Sequence, residues 1–348
     1  METDKRIEYI DALRGLTMFL VIYFHVPSYC LGNAYIGFNN IFEWVRMPVF
    51  FFISGFVFYK ADRIWNRGTI KQVLKKKFMV QIIPMVVFMT LYLVIFGYLD
   101  PKSLGSDKKG YWYMYVLFEF FVLYIFAEAL LNKEKTCKGE IYVFIFVLMT
   151  SLAAFYYMKY YILYANELGN WKTVFGLLSF VKIRHFIFFW FGAIVRKHFT
   201  KFISITDNLS FIAIVLCYFI VLIVYPKLFH IEGIEYPTFM FSGFASVILL
   251  FTFFRKKEQL FSSKNWFGKS LQFIGRRTLD IYLIHYFFLP YDSLQDFGSR
   301  LINYNCKLLE VVVILPLSLY IIAISLAASR IIRLSPFLKK YLLGETKQ

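Results

Sequence analysis

Ten continuous apolar stretches, each about 20 residues long, recur along this chain with short polar gaps between them. That length is what an α-helix needs to cross the ~30 Å hydrocarbon core of a bilayer. In lipid every backbone N–H and C=O must be paired within the protein, so only helices and closed barrels span a membrane. Barrel strands alternate apolar and polar side chains, whereas these runs are unbroken. The expected fold is therefore all-α: a polytopic membrane bundle of about ten transmembrane helices. Its spans are read at 13–31, 41–60, 78–99, 111–131, 141–164, 174–195, 209–229, 235–254, 271–290 and 309–334. Hydrophobic residues make up 59% of the 348, well above the apolar share of a soluble domain. No polar linker, low-complexity tract or internal repeat interrupts the pattern, so residues 1–348 read as a single integral-membrane domain.

A net charge of +17 gathered on one soluble face would point to nucleic acid. Here the charge follows topology, and no nucleic-acid partner is expected. Lys and Arg are several times more numerous in the loops on the side carrying both termini than in the alternate loops, which makes both termini cytoplasmic. The densest cluster, Lys60, Arg63, Arg67, Lys71, Lys75, Lys76 and Lys77, lies between spans two and three. Such a cluster sets topology and touches anionic membrane lipids, and it also collects a phosphorylated donor. The basic, apolar start lacks a small-residue cleavage site and reads as a retained first span. Cys30, Cys137, Cys217 and Cys306 have neither redox nor metal-ligand spacing, so no metal is expected.

Ionisable side chains inside such runs are costly in lipid and mark function by default. The first run opens Asp11-Ala-Leu-Arg14-Gly15 and contains His25. If 11–25 is helical, the step from Arg14 to His25 is three turns plus about 20°, so Asp11, Arg14, Met18, Ile22 and His25 share one face. From Arg14 that ladder rises about 16 Å, half the hydrocarbon core, and brings His25 near mid-membrane. An imidazole at that depth needs a hydrogen-bonding partner, a cavity or a relay. His25 is thus either a structural group or a general base, and catalysis is the expectation. Arg14 carries a fork suited to carboxylates and phosphates; it pairs with Asp11, positions a donor, or does both.

Other spans add candidates. Glu43 and Arg46 stand i,i+3 at the outer end of span two, where they neutralise each other or face a substrate. The following Ser54-Gly55 step permits close helix approach. Tyr111-Trp112-Tyr113 opens span four as an interfacial belt, with sugar stacking the alternative for Trp112, and Glu119 lies well inside that run. In span nine Arg276 or Arg277 can neutralise Asp280, while Tyr282 and His285 sit deeper, one turn apart. Span six has two parses. Begun near 174, it carries Lys182, Arg184 and His185 mid-run; begun near Ile183, after an interfacial segment at 172–182, it leaves them at the extracytoplasmic mouth, where Arg184 can meet a substrate.

In combination these residues resemble the membrane acyltransferase 3 family. The likeness rests on Asp-x-x-Arg-Gly followed by an intramembrane His (Asp11, Arg14, Gly15, His25) and on Met47-Pro-Val-Phe-Phe-Phe-Ile-Ser-Gly55. It extends to the aromatic opening of span four at Trp112, the late Ile281-Tyr-Leu-Ile-His285 and the ten-span count. The resemblance implies a cytoplasmic acyl-CoA donor, usually acetyl-CoA, and a hydroxyl acceptor on a cell-surface glycan or its lipid-linked precursor. It also implies a multi-pass protein of the bacterial cytoplasmic (inner) membrane with His25 and Arg14 as its functional pair. Many members carry Arg-x-x-Arg before a Pro at the start of span three. Here the stretch is Lys75-Lys-Lys-Phe-Met-Val-Gln81-Ile-Ile-Pro84. Lys75, Lys76 and Lys77 are accordingly the donor-phosphate candidates, as point charges without the guanidinium fork.

The expected activity is O-acyl transfer, with His25 either the general base or a transient acyl acceptor. Asp11, Arg14 and His25 form the catalytic set, and Glu43, Arg46, Trp112, Arg184, Tyr282 and His285 the substrate-binding set. A proton-coupled transporter or flippase for a lipid-linked sugar or small anion, with Arg14, His25 and His285 as a proton path, is the competing reading. The chain lacks the repeated halves and paired broken spans common in such transporters.

Overall fold

The structure is a computed structural model that describes residues 7–32, 39–97, 108–133, 135–164, 174–208, 234–291, 294–304 and 306–345, with positions 212, 215, 216 and 219. Among these residues there is no strand. The helices are α1 (Glu8–Cys30), α2 (Asn39–Phe58), α3 (Arg67–Lys77), α4 (Ile83–Ile95), α5 (Trp112–Leu131), α6 (Cys137–Tyr164) and α7 (Phe186–Lys197). They continue with α8 (Phe199–Asn208), α9 (Glu235–Lys256), α10 (Trp266–Arg276), α11 (Thr278–Ile284), α12 (Gln295–Asn303), α13 (Lys307–Ile332) and α14 (Pro336–Leu342). The chain is an all-α polytopic membrane bundle. Among the described residues six segments are long and apolar enough to cross a bilayer: Glu8–Cys30, Arg67–Ile95, Trp112–Leu131, Cys137–Tyr160, Glu235–Lys256 and Lys307–Ile332. They correspond to expected spans one, three, four, five, eight and ten. Span two is represented by the shorter apolar Val45–Phe58, and most of span seven lies outside the described residues.

Contacts divide the chain into two compact units, residues 1–53 with 198–331 and residues 54–197 with 332–348. In the first unit α1 runs alongside α10 in the same direction. The carboxylate of Glu8 accepts from the N–H and hydroxyl of Ser263 at 2.9 and 2.7 Å, and further along Leu31 packs on Gly298. Lipid tails supply no apolar drive between helices, so close approach at small residues has to hold them. Gly15 and Gly275 provide it. A Cβ on Gly15 would stand 2.0 Å from the Leu271 carbonyl oxygen, and one on Gly275 would stand 1.9 Å from that of Asp11. Phe251 of α9, fully buried, closes the unit by meeting Tyr9, Phe52 and Phe202 edge-on at 5.5–5.9 Å.

In the second unit the close approach expected at Ser54-Gly55 is made against α7, where a Cβ on Gly55 would lie 1.8 Å from the Phe189 carbonyl oxygen. The Ser54 hydroxyl shares a hydrogen bond with the Tyr113 hydroxyl at 3.1 Å. Phe189 is itself the centre of a ring cluster with Phe58, Phe120, Phe121 and Tyr124.

Three expected spans differ from the observed elements. Span three does not begin at 78: the helix already starts at Arg67, capped by Asn66, whose side chain accepts from the Thr69 N–H at 2.8 Å. It then passes through one π-helical stretch, Phe78–Ile82. Pro84 lacks the N–H that would bond the Val80 carbonyl, and the wider turn accommodates that loss. Span six does not run from 174. Ser179 adopts a left-handed φ of 49°, Phe180–His185 form a 3-10 turn, and the α-helix begins only at Phe186, in line with the second parse. Span nine is not continuous either. It breaks at Arg277 between α10 and α11 and ends in a 3-10 turn, His285–Phe288, because Leu289 precedes Pro290 and is held extended.

Candidate functional site

The first unit brings together the two histidines that lay 260 positions apart in sequence. Nδ1 of His25 lies 3.0 Å from Nε2 of His285, and the ring planes are within 17° of parallel with centroids 5.2 Å apart. Both occupy interrupted stretches of helix. Pro27 breaks the hydrogen-bond ladder of α1 two residues beyond His25, and His285 stands where α11 tightens into the 3-10 turn. On its other side, Nδ1 of His285 lies 2.9 Å from the Ile281 carbonyl oxygen. His285 has no exposed surface, whereas His25 is half-buried. Of the two, only His25 has exposed surface.

An aromatic wall surrounds the pair. Tyr29, one turn after His25, meets its ring edge-on at 5.3 Å; Tyr286 lies 5.4 Å from His25 and 4.0 Å from His285. Tyr291 abuts Tyr29 and donates its hydroxyl to the Tyr286 carbonyl at 3.0 Å. These tyrosines escaped the sequence reading, although Tyr29 at i+4 from His25 and Tyr286 beside His285 were available signals. Tyr282 is buried with its ring 6.0 Å from His285. Arg46 reaches the neighbouring position, its guanidinium 3.2 Å from the centre of the Phe24 ring. Glu43 lies on α2, but its side chain falls outside the described ones.

Asp11 and Arg14 lie at the other end of α1, about 21 and 16 Å in helical rise from His25. The Asp11 carboxylate, 7% exposed, accepts from Arg276 at 3.4 Å. Arg276 also donates to Gln272, at 2.7 Å. Asp280 pairs instead with Arg277 at 3.6 Å and accepts from the Ser329 hydroxyl at 2.5 Å. Of the two arginines considered for Asp280, the first therefore belongs to Asp11. Arg14 is half-buried on α1. The helix begins at Glu8, so its midpoint falls near residue 19 and His25 lies about 9 Å beyond it, toward the end at Cys30.

The remaining candidates belong to the second unit. Lys182 covers the Trp112 ring at 4.8 Å, and Arg184 is directed at the Met158 sulfur. Lys75 and Lys76 are exposed at the end of α3, whereas Lys77 lies over the Phe121 ring at 4.0 Å. Beside the preceding basic segment is a cavity of about 290 Å³ lined by Lys60, Arg63, Trp65, Lys133, Lys135 and Lys197 among others. Lys133 and Lys135 follow the end of α5 and Lys197 ends α7, and none of the three was singled out in the sequence. Arg63 packs its guanidinium against Phe58 and Trp65 and donates to the Phe58 carbonyl at 3.2 Å. Burial lowers its pKa from the ordinary arginine value, a desolvation that a bound phosphate would offset.

Among family models, one described as an acyltransferase domain, that of the acyltransferase 3 family, matches residues 7–330. No curated protein and no solved structure matches the chain.

Proposed function

The chain belongs to the acyltransferase 3 family, and from that premise we propose that it transfers an acetyl group from cytoplasmic acetyl-CoA to a hydroxyl of a cell-surface glycan or its lipid-linked precursor. Its place is the cytoplasmic membrane of a bacterium. The observation that carries the reading is the half-buried His25 imidazole backed by buried His285 at 3.0 Å. A neutral imidazole at a boundary that a substrate can reach is what a general base requires.

In this scheme His25 removes the proton from the sugar hydroxyl as its oxygen attacks the thioester carbonyl. The carbon–sulfur bond then breaks, and the departing thiolate takes the proton back from His25, giving the ester, free coenzyme A and neutral His25. Exposed Tyr29 and its neighbours supply ring faces and edges that suit a sugar. The Lys75, Lys76 and Arg63 region, with Lys133, Lys135 and Lys197, supplies cations for the donor's phosphates. Arg14 and Asp11, remote from His25 along α1, act on donor position rather than on the reacting atoms.

The test is transfer of labelled acetyl from acetyl-CoA in membranes at matched protein levels. His25→Ala should lose about 100-fold or more of the rate, the scale of a lost general base. Full activity in that variant would remove His25 from the chemistry.

A further inference from the structure

The hydrogen bonds around the two histidines form a directed chain, and its direction assigns the protons. The Ile281 carbonyl oxygen, 2.9 Å from Nδ1 of His285, can only accept. Nδ1 of His285 must therefore carry the hydrogen. In a neutral imidazole the other nitrogen is then the acceptor, so Nε2 of His285 presents its lone pair. The atom 3.0 Å from that lone pair is Nδ1 of His25, which must be the donor. Nε2 of His25 is left with the lone pair, and among the described residues it has no hydrogen-bond partner.

We infer that His285 is a positioning residue that locks His25 in the tautomer with Nδ1 protonated, so that Nε2 of His25 is the nitrogen that takes the substrate proton. This rests on the proposed acyl transfer and gives His285 a role other than substrate contact. The logic matches that of a catalytic carboxylate behind a histidine, which fixes ring orientation and tautomer. Here the partner is a neutral imidazole, anchored in turn by a main-chain carbonyl. Its complete burial suits that task. The turn that presents the carbonyl is the last of α11, and the same oxygen also accepts the His285 backbone N–H. Helix geometry rather than a further side chain therefore sets the proton order.

Three variants test the assignment, with thermal stability in detergent and membrane yield measured alongside. His285→Leu removes the acceptor and should lower kcat about 10- to 100-fold, the usual effect of removing an orienting partner, with KM nearly unchanged. His285→Gln restores an amide oxygen to the same region and should recover most of that loss. Replacement of His25 by Nδ1-methylhistidine blocks the donor nitrogen but spares Nε2; it should slow the enzyme as His285→Leu does, and the two changes together should cost no more than either alone. The inference is overturned if His25→Ala is inactive while His285→Leu keeps wild-type kcat, or if the Nδ1-methyl variant is unimpaired. Full activity in His25→Ala would instead remove His25 from the chemistry, and no transfer by the wild-type protein would overturn the acyl-transfer reading on which the assignment rests.

Discussion

Gly15 shows how much one missing side chain can decide. Its hydrogen faces the Leu271 carbonyl, where a methyl would need to occupy space 2.0 Å from the oxygen, and a main-chain atom cannot move aside as a flexible side chain can. Gly15→Ala should therefore destabilise by at least about 3 kcal/mol, the upper end of overpacking costs, and should lower the detergent melting temperature and activity together. An unchanged melting temperature would contradict the packing. Ser329→Ala is a milder change: it removes one donor from the buried Asp280 carboxylate and should cost about 1.5–3 kcal/mol. His25 and His285 were legible in the sequence because an ionisable group in an apolar run has few structural reasons to be there. The part played by Gly15 was not, because its meaning lies in Leu271 and Gly275, far away in the chain. The Asp11 partner was hidden for the same reason. Local spacing offers Arg14, and only tertiary packing reveals Arg276.

At the scale of elements, apolar length identified the long helices and failed where helices break. Span six carries three basic groups mid-run, and its true start depends on the left-handed turn at Ser179 rather than on hydropathy. Span nine looks continuous because Arg277 is no obvious breaker; the interruption becomes intelligible only when Arg276 and Arg277 are seen to serve different acids. The π-helical stretch before Pro84 has a partner as well. Gly344, at φ +65°, brings the end of the α14 segment so close that a Cβ would lie 2.6 Å from the Val80 carbonyl oxygen. Gly344→Val combines a left-handed conformation unfavourable to branched residues with that collision. It should release α14, seen as faster amide exchange and proteolysis of residues 336–345, with α10 and α11 unaffected. Equal protection in both proteins would count against the contact.

At the scale of the whole molecule, the charge count and the packing make the same demand. α1 and α10 run in one direction, which requires an odd number of membrane crossings between them, and the ten-span reading has seven. A single cysteine at Asp62, in a chain otherwise cleared of reactive thiols, should resist an impermeant maleimide applied to intact cells and react after permeabilisation. Labelling from outside would reverse the topology. The parallel course carries a further consequence. Ten residues separate Gly15 from His25, and ten separate Gly275 from His285. The glycine contact thus works as an alignment mark, and the count from it to each imidazole is a ruler written into both segments. Adding one residue to either length would advance that ring by about 1.5 Å and swing it about 100° around its helix, ending the contact between the imidazoles. Chain length between these marks is therefore as much a part of the site as the histidines themselves.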